Sequence, residues 1–189
     1  MESEKSELEI RSPTTNHAAQ IWRLVQDSGL LDVNSAYLYL LLCRDFCDTC
    51  LVACRGESVV GFVSGYRLPR KPTVLFIWQI GVAPEAKRQG IASRLLRELV
   101  QQCGRSSLSA IEATVSPSNI ASRRLFESLA RTLAVPMVDV PEDGFSAADF
   151  PSGDHEPEPR IRIDLNENAS WSDATHPVPP TGSAARGIL

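Results

Sequence analysis

Val82-Ala83-Pro84-Glu85-Ala86-Lys87-Arg88-Gln89-Gly90-Ile91-Ala92 joins two runs of different period. Before it, Val74 to Val82 is strongly apolar and of strand length. After it, Ala92, Leu95, Leu96, Leu99 and Cys103 recur at i, i+3, i+4, i+7 and i+11, one face of a helix whose other face is charged. A strand therefore enters a tight loop and a helix leaves it. Gly90 and Ala92 bring little side-chain bulk to the turn. The amides of Gln89, Gly90, Ile91 and Ala92 can then point at one bound group, helped by the positive end of the helix. Such a nest suits a pyrophosphate.

A glycine loop alone says little, since a small residue also eases any strand-to-helix turn. The chain has no Gly-x-Gly-x-x-Gly and no Gly-Lys-Ser/Thr, so dinucleotide and nucleotide-triphosphate loops are disfavoured. Lys87 and Arg88 instead set two cations beside the amides. A second segment, Ile111-Glu112-Ala113-Thr114-Val115-Ser116-Pro117-Ser118-Asn119, is a short β-rich run ending in a turn. Ile120 to Leu133 then reads as a helix with Leu125, Phe126, Leu129 and Leu133 on its apolar face.

Both segments resemble the GCN5-related N-acetyltransferase (GNAT) family. Its loop signature, Arg/Gln-x-x-Gly-x-Gly/Ala, reads here as Lys87-Arg88-Gln89-Gly90-Ile91-Ala92, with lysine as a departure at the first position. Its Asn-x-x-Ala-x-x-x-Tyr reads as Asn119, with Ser122 in place of the alanine and Phe126 in place of the tyrosine. The resemblance implies an α/β GNAT acetyltransferase fold: a central mixed β-sheet flanked by helices, with a splayed strand pair holding the cofactor. It implies acetyl-CoA as co-substrate and no metal. Lys87, Arg88, Gln89, Gly90, Ile91 and Ala92 would hold the pyrophosphate, the backbone of Ile80 and Val82 would pair with the pantetheine arm, and Asn119 and Ser122 would face that arm. Asn119 also reads as a plain helix cap, and both roles are compatible. Phe126 has no proton to give a leaving thiolate, as the family's tyrosine can.

The order of elements agrees. Leu8 to Arg11 reads as a strand; Pro13-Thr14-Thr15-Asn16 caps a helix with Ala18, Ile21, Trp22 and Val25 on one face, stopped near Gly29. A second helix spans about 35–46. Strands at 49–55 and 59–66 are joined by Gly56-Glu57-Ser58 as a hairpin. Residues 135–138 and 161–165 read as two final strands around a loop rich in Pro, Gly and Asp. The expected order is β-α-α-β-β-β-α-β-α-β-β. With 189 residues, 43% of them hydrophobic, and no internal repeat, the chain reads as one domain over residues 1–165. Residues 166–189, rich in Pro, Ser, Ala and Thr without apolar periodicity, read as a disordered tail.

No charge-free apolar run reaches membrane length, and the acidic N-terminus is unlike a signal peptide, so a cytoplasmic protein without membrane contact is expected. The formal charge of -4 disfavours nonspecific nucleic-acid binding and is compatible with a small cationic substrate. Cys43, Cys47, Cys50 and Cys54 could be spaced for zinc, and Cys47-Asp48-Thr49-Cys50 for redox chemistry. Reduced core thiols are the better reading, because these residues sit in an apolar helical run and a β-rich run.

Substrate choice falls to polar residues at strand ends and loops. Asp32 can bind an ammonium, or Asp32 or Ser35 can cap the second helix, and Tyr37 or Tyr39 can add an aromatic face. Trp78 lies either in the cleft or in the core. His155, Glu156 and Glu158 precede the last strand, as a solvated acidic loop or as a diamine site. His155 and Glu158 are the candidate catalytic residues that take the ammonium proton, with Asp32, Tyr37, Tyr39, Trp78 and Glu156 binding substrate. Arg67, Arg70 and Arg160 are open alternatives for holding a substrate carboxylate. The strings Leu31-Asp32-Val33-Asn34-Ser35, Trp78-Gln79-Ile80-Gly81-Val82-Ala83-Pro84 and Ser116-Pro117-Ser118-Asn119 resemble those members of the family that act on L-2,4-diaminobutyrate in ectoine biosynthesis. That resemblance implies acetylation of the 4-amino group and a homodimer. Another small diamine or polyamine as acceptor, and a non-catalytic acyl-CoA sensor, are the alternatives.

Overall fold

The computed structural model describes residues 7–29, 31–151 and 155–165. The tail expected at 166–189, and Gly153 and Asp154 of the acidic loop, lie outside the described residues. In chain order the elements are β1 (Leu8–Arg11), α1 (Thr15–Ser28), α2 (Ala36–Arg44), β2 (Cys50–Arg55), β3 (Ser58–Leu68), β4 (Lys71–Val82), α3 (Ile91–Gln102), β5 (Ala110–Thr114), α4 (Ile120–Leu133), β6 (Met137–Phe145) and β7 (Glu158–Asp164). One seven-stranded sheet runs β1-β2-β3-β4-β5-β7-β6. Only β4 and β5 pair in parallel, so the sheet is mixed, as expected.

Helices cover both faces of the sheet. Gly61 pairs with Val82, and a Cβ at Gly61 would lie 3.1 Å from Ile91 Cγ2 and 3.3 Å from Leu95, which are on α3. The next residue, Phe62, pairs with Gly81, where a Cβ would lie 3.0 Å from Leu24 of α1. Successive strand residues point to opposite faces, so α1 and α3 sandwich the sheet. The apolar stripe of α3 is Ile91, Leu95, Leu96, Leu99 and Val100, with Ile91 rather than Ala92 leading it. Leu95, Leu96 and Leu99 are wholly buried, and each contributes about 1.5–3 kcal/mol of transfer free energy.

Local signals set the helix ends. Thr14 caps α1 in a reciprocal arrangement in which His17 Nδ1 accepts the Thr14 amide at 2.9 Å. Burial lowers the pKa of His17 and keeps that ring neutral. Ser35 caps α2, accepting from the Leu38 amide. Cys43, Cys50, Cys54 and Cys103 are buried and Cys47 is half-buried, all five as free thiols. Burial pushes Cys43 up to about 11 and Cys50 up to about 12.

Several strand boundaries differ from expectation, and β4 begins at Lys71 rather than Val74 while β3 runs on to Leu68. β6 runs on through Pro141-Glu142-Asp143-Gly144 to Phe145, with an irregular register between Val140 and Phe145. It is an edge strand, where proline and charge are tolerated because one side needs no ladder. β7 begins at Glu158, three residues before the expected Ile161, so Glu158 stands on a strand.

Candidate active site

The sheet opens where β4 and β5 part. Their pairing is confined to Val74 with Ala110, Leu75 with Ile111 and Phe76 with Glu112. Beyond Phe76, β4 continues for six residues to Val82 without a strand on that side. Backbone groups along this edge are free to pair with an extended ligand. Within the same stretch, Ser64 faces Gln79 while Gly65 faces Ile77, so Trp78 is the extra residue of a β-bulge. Bulges re-aim side chains, and Trp78 is 42% exposed against the opening rather than packed in the core.

A cavity of about 720 Å³ fills the opening. A second cleft of about 390 Å³ lies toward α3 and shares Ile80 and Ser122 with it. Val82 and Ala92 line that cleft. Arg88 and Gly90 both hold left-handed conformations, with φ 61° and 74°, which turn the chain into α3. No side chain caps α3 at Gly90, so its first amides are left for another acceptor. The Ile91 side chain is buried in the core, leaving only its amide for a ligand. Lys87, Arg88 and Gln89 are exposed beside the turn, and the Gln89 side chain accepts from Arg55 and donates to the Glu85 carbonyl at 3.2 Å. Asn119 caps α4, accepting from the Ser122 amide at 3.1 Å, and lines the larger cavity together with Ser122 and Phe126. These residues fit a pyrophosphate with an extended arm, because they supply free amides, neighbouring cations and an open strand edge.

The polar end of the cavity brings together residues far apart in sequence. Asp32, His155 and Glu158 present ligand atoms all within 4.8 Å of one another. His155 Nε2 lies 3.6 Å from Asp32 Oδ2. Its Nδ1 is 2.7 Å from the Glu156 carbonyl, which can only accept, so Nδ1 carries a proton. The ring stacks on Phe150 at 3.9 Å between centroids and 12° between planes. The Glu156 carbonyl, and after it Asp32, raise the His155 pKa above its ordinary value. Glu158 Oε2 accepts from Thr114 Oγ1 at 2.5 Å, which fixes the carboxylate at the mouth of the splay. Such a set can hold an ammonium and accept its proton.

A buried ion cluster meets the cavity at Arg160. Glu112, 5% exposed, accepts from Arg160 Nη1 at 2.7 Å and from Arg162 Nη1, while Arg162 Nε donates to Asp164 at 2.6 Å. The Arg160 guanidinium lies over the Phe76 ring, 5.2 Å from its centroid.

Several expected site residues stand elsewhere. Glu156 turns away to accept the Ser118 amide at 3.1 Å and does not line the cavity. Tyr37 is 65% exposed on the outer face of α2, outside the lining. Tyr39 is wholly buried; its hydroxyl donates to Gln79 Oε1 at 3.1 Å, and Gln79 Nε2 donates to the Asp32 carbonyl at 2.9 Å. It therefore braces the Asp32 loop instead of offering a ring to a ligand. Ser35, not Asp32, caps α2, which leaves Asp32 free for the cavity. Arg67 is occupied by the carbonyls of Pro72 and Cys103 and the Ser107 hydroxyl, and Arg70 lies outside the lining, whereas Arg160 is in it. Thr114, Phe150 and Gln79 were not expected. For Thr114, the polar positions Glu112 and Thr114 alternating with apolar ones on β5 are the available signal.

Comparison with known proteins agrees with this geometry. Residues 16–130 match the Acetyltransferase (GNAT) family. The chain is 44% identical over 154 residues to the L-2,4-diaminobutyric acid acetyltransferase of Halalkalibacterium halodurans, covering 82% of this chain and 80% of that one. It is 39% identical to the protein of the same name from Streptomyces coelicolor, over 86% of this chain and 96% of that one. Among solved structures, diaminobutyrate acetyltransferase EctA from Paenibacillus lautus, in complex with its substrate L-2,4-diaminobutyric acid and coenzyme A, superposes with a TM-score of 0.79 at 42% identity. That match covers 85% of this chain and 96% of that one. With the splayed sheet, the uncapped α3 turn and these relatives in agreement, the chain belongs to the acetyltransferase (GNAT) family.

Proposed function

We propose that this chain transfers acetyl from acetyl-CoA to the 4-amino group of L-2,4-diaminobutyrate, giving the N4-acetyl product that a later enzyme cyclises to ectoine. The observation that carries the reading is the convergence of Asp32, His155 and Glu158 beside the open edge of β4. The identity to proteins named for this activity supports the substrate.

An alkyl ammonium titrates near 10.4, so only about one amine in a thousand is neutral near pH 7.4. Asp32 and Glu158 hold the cation, and Glu158 or His155 removes its proton. With Nδ1 protonated, His155 offers a lone pair at Nε2 only once it is neutral. Its raised pKa therefore moves the rising limb of the rate upward in pH, toward an alkaline optimum. The neutral amine attacks the thioester carbonyl, and backbone amides at the open β4 edge, with Ile80 and Val82 as candidates, stabilise the oxyanion. The C–S bond then breaks, and the second amine proton passes to solvent or to the departing thiolate. A thiol near 8.5 leaves as thiolate at mildly alkaline pH, so phenylalanine at 126 is compatible with turnover. Lys87, Arg88 and the amides of residues 89–92 hold the pyrophosphate, while Asn119 and Ser122 flank the arm.

Homodimerisation is part of the same reading, supported by the exposed apolar residues Val33, Tyr37 and Leu40 on and before α2. Five free thiols support a reducing compartment, the cytoplasm. No helix among the described residues is long and apolar enough to cross a membrane. Initial rates of CoA release with L-2,4-diaminobutyrate, ornithine, lysine and spermidine test the substrate. Preference for diaminobutyrate is expected. Turnover on another amine alone would replace the substrate, and CoA binding without turnover would replace the enzyme with a sensor.

A further inference from the structure

Arg160 carries an unexplained buried donor. Its Nε is the one buried side-chain nitrogen or oxygen among the described residues that lacks a hydrogen-bond partner. The side chain is only 16% exposed, and the residue lines the larger cavity. Buried N–H groups are nearly always paired, so the orphan leaves this cavity-lining guanidinium with a donor unspent, which a small turn of the side chain toward a ligand oxygen would satisfy. The guanidinium is also short of negative charge. Glu112 divides its carboxylate between Arg160 and Arg162, and Asp164 serves Arg162.

The position along β7 specifies the ligand. Arg160 reaches back toward Glu112 and Phe76, the last paired row before the strands part. Glu158, two residues earlier on the same strand face, lies toward the open end, bonded to Thr114. Two strand residues span roughly 6.6 Å. The four bonds from the carboxylate carbon of diaminobutyrate to its 4-nitrogen span roughly 5 Å. One molecule can thus place its carboxylate on Arg160 and its far amine at Glu158. The 2-amino group, adjacent to the carboxylate, is then held at the closed end, away from the thioester.

We infer that Arg160 binds the α-carboxylate of the substrate, and so selects an amino acid over a plain diamine and directs acetylation to the 4-amino group. This rests on the acetyltransferase reading above.

The test compares kcat/KM for L-2,4-diaminobutyrate and propane-1,3-diamine, the same molecule without its carboxylate, in wild type, Arg160→Gln and Arg160→Lys. Wild type should favour the acid by about 100-fold or more, as expected when a buried polar group is left unpaired by the poorer substrate. Arg160→Gln should collapse that ratio at least about tenfold, chiefly through KM for the acid, and should release some 2-acetyl product; Arg160→Lys should recover part of the ratio. An unchanged ratio in Arg160→Gln, or equal losses on both substrates, would overturn the inference. Wild type on 2,4-diaminobutyramide provides the check that needs no variant: turnover as good as on the acid would overturn it too. Wild type inactive on every amine would overturn the acetyltransferase reading itself, and the anchor with it.

Discussion

Glu112→Gln removes the carboxylate that Arg160 and Arg162 share behind the cavity wall. Glu112 is 5% exposed at its side chain, with Arg160 at 16% and Arg162 at 22%, so water does little to screen the pairs. Arg162 keeps Asp164 as a partner at 2.6 Å; Arg160 keeps only the face of Phe76. The glutamine amide also turns a donor toward one of the two guanidinium groups. Breaking a buried pair from one side costs about 3–5 kcal/mol, because the remaining charge stays buried without a partner. For a domain of this size each kcal/mol moves the midpoint about 2–4 °C, so the loss should be roughly 6–20 °C. Glu112→Asp keeps the charge on a shorter arm that cannot serve both arginines, and should fall between the two. Differential scanning calorimetry and urea titration measure the series. A loss below about 1 kcal/mol in Glu112→Gln, with the slope of the urea transition unchanged, would refute the view that this cluster is a single dependent unit.

Glu158→Gln should lower kcat about 10²- to 10⁴-fold while leaving the KM for acetyl-CoA nearly unchanged, and steady-state rates within twofold of wild type would remove Glu158 from the proton transfer. Asp32→Asn should move the His155 titration, followed by NMR of its ring, downward toward 6.5 but not fully to it, since the Glu156 carbonyl, the larger cause, remains; an upward move would contradict the ion pair. The acid limb of the kcat profile should shift to lower pH in the same direction, because more of the ring is then neutral, while the KM for the amine rises with loss of the Asp32 charge. With an aromatic disulfide reagent at pH 8, Cys47 should react first and nearly alone in the native protein, and all five thiols after unfolding. Fast reaction of Cys50, whose thiol is pushed up to about 12, would contradict its burial.

Much of the fold was legible because its signals are local. The switch from apolar run to helical period at Val82 to Ala92, the caps at Thr14 and Ser35, and the hairpin turn at Gly56 each depend on a few adjacent residues, and the element order follows from them. The edge strand β6 was harder to see, since Pro141 to Gly144 carries turn composition and is held only by pairing with β7. The site divides in the same way. Trp78 could be placed in the cleft only from the bulge, which is a matter of register with β3. Tyr39 and Glu156 stand away from the expected site because composition names a group but not its partner: one hydroxyl is spent on Gln79 and one carboxylate on Ser118. Among the three candidate arginines, Arg160 is singled out only by its neighbours. The other two are separated from it by what they bond and by where the cavity lies.

The most direct measurement is the NMR assignment of the product formed from acetyl-CoA and L-2,4-diaminobutyrate by the purified chain. Proton–carbon correlation from the acetyl carbonyl to the C4 methylene protons is the predicted result, with equimolar CoA released. Correlation to the C2 proton instead, or no acetylated diaminobutyrate at all, would contradict transfer to the 4-amino group.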